Sequence, residues 1–400
     1  MTVARVGVLG AGTMGRGIAQ VAALGGYETQ LYDAYPDAVT RGAEQIGFDL
    51  SKGVDRGRWS DAEGEAAANR VQAATAIGEL AGCELLIEAV PEHLELKRGL
   101  FAEAAAACGP EVVLASNTSS LRVAEIAVGV PGPERLVGMH FFNPPALMKL
   151  VEVVATEHSS EQALAAATEV AEGMGRKPIR AKDSPGFVAN RLARPFSLES
   201  LRMLGDGVAD AATIDRVVRL GGGFRMGPFE LLDLIGLDVN LTIARSFFAQ
   251  GGEPERWRPS PIQERLVEEG RLGRKSGQGY YAYDEGVERE PDPELGIDTP
   301  TLDPEQLAQI DPAANEILPR LFAQIANEAA FALEEDVASP ADMDTAMRLG
   351  FNWPRGPIEI TELIGPRHAV AVLAALESER GAAYLAAPQL RAAATGAVSP

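Results

Sequence analysis

Cysteine is nearly absent from this chain of 400 residues, and Cys83 and Cys108 alone cannot build a disulfide framework or a metal cluster. They read as small buried side chains. Histidine numbers only four and lysine only six. No apolar run approaches the ~20 residues of a membrane span. Met1 leads almost directly into a strand-like run over residues 3–9 without a cleavable signal pattern, so a cytoplasmic location and no membrane partner are expected. The formal charge of −21 repels phosphate backbones and argues against nucleic acid as a partner. With only six of the 36 basic residues being lysines, Lys52 and Lys97, both in the N-terminal half, are candidates for the local positive spots that phosphates need.

What is present is globular: 46% of the residues are apolar, and the length implies two or three domains. The first 180 or so residues alternate short β-rich runs with helical ones, the pattern of a doubly wound, parallel α/β sheet. Strands are expected over residues 3–9, 29–32, 85–89, 112–115, 136–139 and 150–154. The polar, glycine-punctuated segment 36–70 interrupts the alternation as a helix pair that could project as a substrate-contacting arm. From Asp183 onward the strand signal gives way to amphipathic helices. The expected division is a doubly wound α/β domain over 1–183, a helical domain over 184–283, an acidic, proline-rich linker over 284–312 and a second helical domain over 313–400.

The last of these repeats the second. Arg191-Leu192, Glu199, Asp215, Gly227-Pro228 and Glu230 recur as Arg320-Leu321, Glu328, Asp344, Gly356-Pro357 and Glu359 at one constant offset. An ungapped register over such a span implies two copies of one helical unit. Asn190 corresponds to Pro319, so the second copy has lost a polar side chain available to a ligand.

Gly10, Gly12, Thr13, Met14 and Gly15 follow the first strand and open a helix over 18–24. The three glycines suit a tight turn, close approach of backbone to a pyrophosphate, and close helix packing, with phosphate held at the helix N-terminus. Asp33, at the end of the second strand, adds a carboxylate for both ribose hydroxyls and repels a 2′-phosphate, which makes NAD the expected cofactor rather than NADP.

The candidate chemistry centres on His140. It follows an apolar strand and opens the turn Phe141-Phe142-Asn143-Pro144-Pro145, and twelve residues on Glu152 interrupts the apolar run Leu150-Val-Glu-Val-Val154. A carboxylate in such a strand needs a partner. Beside an imidazole it fixes the tautomer and prepares the ring to take a proton. Oxidising an alcohol with NAD needs such a base, together with donors for the oxygen. Ser116-Asn117-Thr118-Ser119-Ser120, at the carboxyl edge of a strand, suits that task and equally suits the N-cap of a helix before Leu121. His93 lies near Glu88-Ala-Val-Pro91-Glu92, a turn at the equivalent edge one strand earlier, His158 and His368 carry no supporting pattern, and none of the three is given a role.

Taken together, GAGTMGRGIA, IEAVPE, SNTSS, GMHFFNPP with MKLVEVV, and DSPGFVANR resemble the L-3-hydroxyacyl-CoA dehydrogenases over nearly the whole chain. The helical repeat resembles the family's C-terminal domain, tandem in some bacterial members. The resemblance implies hydride transfer from C3 of a 3-hydroxyacyl-CoA, such as 3-hydroxybutyryl-CoA, to NAD. By motif position it implies His140 as base, Glu152 as its partner, and Ser119 and Asn190 as hydrogen-bond donors to substrate. Glu92, Lys97 and Asn117 fall near the nicotinamide half of the cofactor, and Lys52 matches a CoA-phosphate contact. Fatty-acid oxidation, butanoate metabolism and aromatic-acid breakdown all use this reaction. Single-copy members resemble dimers built through the C-terminal domain, so a tandem copy could stand in for the partner subunit, leaving a monomer or a dimer. Two rivals keep the same dinucleotide site: a dehydrogenase of free hydroxy or sugar acids resembling gulonate 3-dehydrogenase, and a non-catalytic NAD-binding homologue.

Overall fold

The computed structural model describes residues 3–283 and 312–397, so the expected linker lies almost wholly outside the described residues. The chain forms two compact units, Met1–Phe187 and Val188–Pro400. No helix among the described residues is long and apolar enough to cross a membrane.

In chain order the first unit comprises β1 (Arg5–Leu9), α1 (Thr13–Leu24), β2 (Glu28–Tyr32), α2 (Pro36–Asp55), α3 (Asp61–Arg70), β3 (Val71–Ala74), β4 (Leu85–Glu88), α4 (Leu94–Cys108) and β5 (Val113–Ser116). It continues with α5 (Val123–Ala127), β6 (Leu136–Phe141), β7 (Leu150–Ala155), α6 (Glu161–Gly173) and β8 (Lys177–Lys182). One eight-stranded sheet runs β3-β2-β1-β4-β5-β6-β7-β8. The central strands β4, β5 and β6 are buried at every residue, as expected of strands covered on both faces. All pairings are parallel except β6 with β7. Segment 142–149 is too short for a parallel crossover, and only an antiparallel return is open to it.

Three sequence expectations change here. The edge strands β3 and β8 carry no recognisable apolar pattern, because an edge is half-solvated and tolerates Gln72, Lys177, Pro178 and Lys182. Strand β6 runs to Phe141, so His140 lies within the strand instead of opening the following turn. The helix pair α2 and α3 forms as expected, capped by Ser60 and Glu63, but Ile46, Leu50 and Ala67 anchor it in the core of the unit.

The second unit is helical: α7 (Ala189–Leu192), α8 (Arg194–Gly205), α9 (Ala211–Gly222), α10 (Pro228–Ile235), α11 (Leu237–Gln250) and α12 (Pro261–Glu268). After the gap come α13 (Ala314–Glu334), α14 (Pro340–Gly350), α15 (Pro357–Ile364), α16 (Pro366–Arg380) and α17 (Pro388–Thr395). The start of α9, α10 and α11 is repeated 129 residues later by α14, α15 and α16. The copies share their capping chemistry. Asp215 accepts from the Phe229 and Glu230 amides at the start of α10, and Asp344 accepts from Ile358 at the start of α15.

The two copies also clasp each other reciprocally. Arg191 donates to Glu328 at 2.8 Å, and its counterpart Arg320 donates to Glu199 at 2.9 Å. Arg191 reaches Glu335 at 2.6 Å, and Arg320 reaches Asp206 at 2.9 Å. Trp257 donates to Glu328 and Tyr384 to Glu199. Each patch therefore meets its own repeat, the signature of a two-fold interface, here within one chain. Both arginines and both central glutamates are buried, so each charge relies on its partner.

Candidate active site

Strand order departs in opposite directions from β1, towards β2 on one side and β4 on the other, which opens a crevice beyond the carboxyl ends of β1 and β4. Gly10 has φ +111°, and a Cβ there would lie 2.7 Å from the Ala89 carbonyl oxygen. A Cβ on Gly15 would collide with the Gly10 carbonyl oxygen at 1.8 Å, whereas one on Gly12 would meet nothing within 4 Å. The turn is thus held closed on the protein side and open on the other. Thr13 and Met14 begin α1, whose first turn has no side-chain cap and no acidic residue, leaving its amides for an anion. Asp33, half-buried, accepts from the Ala11 amide at 2.8 Å and the Tyr35 amide at 3.0 Å. A carboxylate has about four acceptor sites, so capacity remains for a ribose. This cradle fits NAD.

The next two loops are bound into one network. Lys97, expected as a positive spot, is instead buried, with its ammonium 2.6 Å from Glu88 and 3.1 Å from Glu92 and donating to the Val90 carbonyl. Glu88 also accepts from the Ser116 hydroxyl at 2.6 Å and the Val90 amide. Burial pushes its carboxyl up against the pull of Lys97. Glu92 accepts from the Thr118 hydroxyl, the Ser119 amide, and both the amide and hydroxyl of Ser120. Burial alone would raise the Glu92 carboxyl too, but Lys97 and these donors hold it down to about 2. The result is a rigid turn that carries the Ser119 side chain exposed. No helix begins at Leu121: α5 starts at Val123, and Asp183 accepts its first two amides in place of the expected serine cap. His93 caps α4 through Nδ1.

His140 and Glu152 stand directly opposite each other across β6 and β7. Their contact, Nδ1 to Oε2, is 2.6 Å long, and Glu152 is fully buried. A carboxylate accepts, so Nδ1 is the donor in this contact, and the neutral tautomer that fits it leaves the lone pair on Nε2. The rings of Phe142 and Phe187 pack at 4.6 Å and 5.9 Å from that of His140. Asn117 Oδ1 accepts from the Phe141 amide at 2.8 Å, tying the serine-rich loop to the strand that carries the histidine. Asn190 lies half-buried in α7 of the second unit. Lys52 is exposed on the last turn of α2 with its ammonium 5.8 Å from the ring of Phe48, itself 60% exposed.

The family model described as 3-hydroxyacyl-CoA dehydrogenase, NAD binding domain, matches residues 5–184. The model for the C-terminal domain of the same family matches twice, over 186–283 and 317–395. The chain belongs to the 3-hydroxyacyl-CoA dehydrogenase family. It is an NAD-dependent oxidoreductase, and both helical copies are C-terminal domains of that family. The 3-hydroxyadipyl-CoA dehydrogenase of Escherichia coli K12 is 36% identical, with 95% of each chain covered. A probable 3-hydroxybutyryl-CoA dehydrogenase of Deinococcus radiodurans is 39% identical over 70% of this chain and all of its own. The crystal structure of 3-hydroxybutyryl-CoA dehydrogenase from E. coli K12 superposes with a TM-score of 0.90 at 33% identity, covering 99% of both chains.

Sequence reasoning read Glu88 only as the start of a turn and missed Phe48. Glu88 carries the same signal that exposed Glu152, an acid closing the apolar run Leu85-Leu-Ile. Nothing in the sequence marks Phe48, whose exposure depends on the helix face. The Glu92 clasp makes a testable claim about stability. A carboxyl held at about 2 in the fold stabilises it above the ordinary value near 4.5, and that contribution drains away as pH falls from about 5 towards 2. In urea unfolding, Glu92→Gln should be less stable than wild type by roughly 2 kcal/mol at pH 7, the carboxylate being partly exposed. The gap should close towards pH 3, and a gap independent of pH contradicts the clasp.

Proposed function

We propose that the chain oxidises (S)-3-hydroxyacyl-CoA thioesters, such as 3-hydroxybutyryl-CoA, to the 3-oxoacyl-CoA, with His140 as general base and Glu152 as its orienting partner. The observation that carries this reading is the buried 2.6 Å contact between the two side chains. When bound, NAD supplies the hydride acceptor. His140 takes the hydroxyl proton on Nε2 as the C3 hydrogen departs, and Glu152 stabilises the imidazolium that results. Both side chains are buried, so no solvation competes with that stabilisation.

Motif position assigns the remaining roles. Ser119, exposed on a turn fixed by Glu92, and Asn190, in the second unit, hydrogen-bond the substrate. Gly10, Gly12, Thr13, Met14, Gly15 and Asp33 hold the cofactor. Asn117 and Glu92 flank its nicotinamide half, with Lys97 acting through Glu92. Lys52 binds a CoA phosphate, and the exposed ring of Phe48 beside it suits stacking against a base. The named relatives act on a four-carbon and on a six-carbon dicarboxylic chain, which share the reaction centre and differ in the tail.

Measured as NADH formation, 3-hydroxybutyryl-CoA is expected to be turned over and free 3-hydroxybutyrate ignored. His140→Gln should lower kcat by a factor on the order of 10² to 10⁴ while NAD affinity stays near that of the wild type. Turnover within tenfold of wild type would refute the base assignment.

We also read the second helical copy as taking the place of a partner subunit. Support comes from the reciprocal Arg191–Glu328 and Arg320–Glu199 pairs and from Pro319, which sits inside α13 where the first copy has Asn190. Deleting residues 313–400 should strip the partners from Arg191 and Glu199 and cause dimerisation or aggregation in sedimentation experiments. A truncated chain that stays monomeric and as stable as the parent would rule this out.

A further inference from the structure

Arginines are numerous in the helical unit, and the buried ones come with acids. Arg191 has Glu328 and Glu335, Arg320 has Glu199 and Asp206, and half-buried Arg219 has Glu230 for its Nη1. Arg194 breaks the pattern. It is only 6% exposed, yet no carboxylate among the described residues pairs with it. Its Nε donates to the Asn190 carbonyl at 3.2 Å, its guanidinium lies 5.3 Å from the centroid of the Phe247 ring, and its Nη1 has no hydrogen-bond partner. Burial draws its pKa down to about 10, which still leaves it charged at neutral pH. A buried, half-satisfied cation is costly, and a fold keeps one only where something offsets the cost.

The position of Arg194 indicates what that could be. Helices α7 and α8 run on through Ala193, which keeps helical dihedrals, so residues 190 and 194 are one turn apart on a common face. Asn190 is the residue assigned above to the substrate. The second copy supplies a built-in control. At the same offset Asn190 becomes Pro319 and Arg194 becomes Ala323, which is fully buried in an apolar cluster. The helical fold therefore requires no cation at this position, and the copy that has lost the first polar residue has lost the second with it.

We propose that Arg194 is a specificity residue that binds a terminal carboxylate on the acyl chain, so that the preferred substrates are 3-hydroxyacyl-CoA thioesters of dicarboxylic acids. This rests on the reaction proposed above. A guanidinium offers paired donors that match a carboxylate, and the anion neutralises the charge that the fold leaves uncompensated. Asn190 holds the acyl chain near its reacting end. Its neighbour one turn away, about 5–6 Å at Cβ, can then reach an acid a few carbons further along.

The test compares 3-hydroxyadipyl-CoA with 3-hydroxyhexanoyl-CoA, six-carbon chains that differ at C6, using the full-length enzyme and NAD. Wild type should prefer the diacid by about 10² or more in kcat/KM, chiefly through KM. Arg194→Met should lose about 10² more on the diacid than on the neutral thioester, and Arg194→Lys should recover part of the difference. A wild-type ratio at or below one overturns the proposal. So does a preference that survives Arg194→Met, or an equal loss on both substrates, which would mark Arg194 as structural. Should Arg194→Met fail to fold, the wild-type ratio and Arg194→Lys still decide. If neither thioester is oxidised, the reaction assignment itself has failed.

Discussion

A single hydrogen bond, from the His140 ring to the Glu152 carboxylate, imposes more on this structure than any other contact. It depends on the register of the one antiparallel pair in an otherwise parallel sheet, which sets the two residues opposite each other. It also requires burial on both sides, because a solvated carboxylate would hold the ring loosely. The neighbouring architecture follows from keeping that geometry fixed. Phe142 and Phe187 pack near the imidazole, and Asn117 pins the end of the strand. The Glu88–Lys97–Glu92 cluster freezes the adjoining serine-rich turn.

The helical unit applies the same rule of paired burial on a larger scale. Two copies of one sequence motif bury Arg191 and Arg320 in exchange, each against acids of the other copy. Such a reciprocal arrangement is what a two-fold dimer would need, and here both halves of it lie within one chain. Beside the paired Arg191 and Arg320, Arg194 stands out because no carboxylate among the described residues compensates it.

How much of this could be read from the sequence depends on whether the signal was local. The glycine turn, Asp33 and the embedded Glu152 were legible because each breaks a local pattern for a chemical reason. The repeat was legible because its register is constant, and it correctly implied two copies of one helical unit. The edge strands β3 and β8 were not, since half-solvated strands need no apolar alternation. Nor was the fate of Lys97: only the fold brings Glu88 and Glu92 to its ammonium and turns a presumed phosphate ligand into an internal counter-ion. Likewise the repeat revealed that Arg191 and Glu199 recur, but their exchange across the copies is a matter of tertiary geometry.

The central claim is that Glu152 holds the His140 ring with its proton on Nδ1 and its lone pair on Nε2. Nitrogen-15 NMR of the histidine side chains measures this directly, with only four rings to assign. The uncharged His140 ring should show a protonated Nδ1, a bare Nε2 and a strongly downfield Nδ1 proton that is lost in Glu152→Gln. A ring protonated on Nε2, or an even mixture of the two tautomers, would contradict the account.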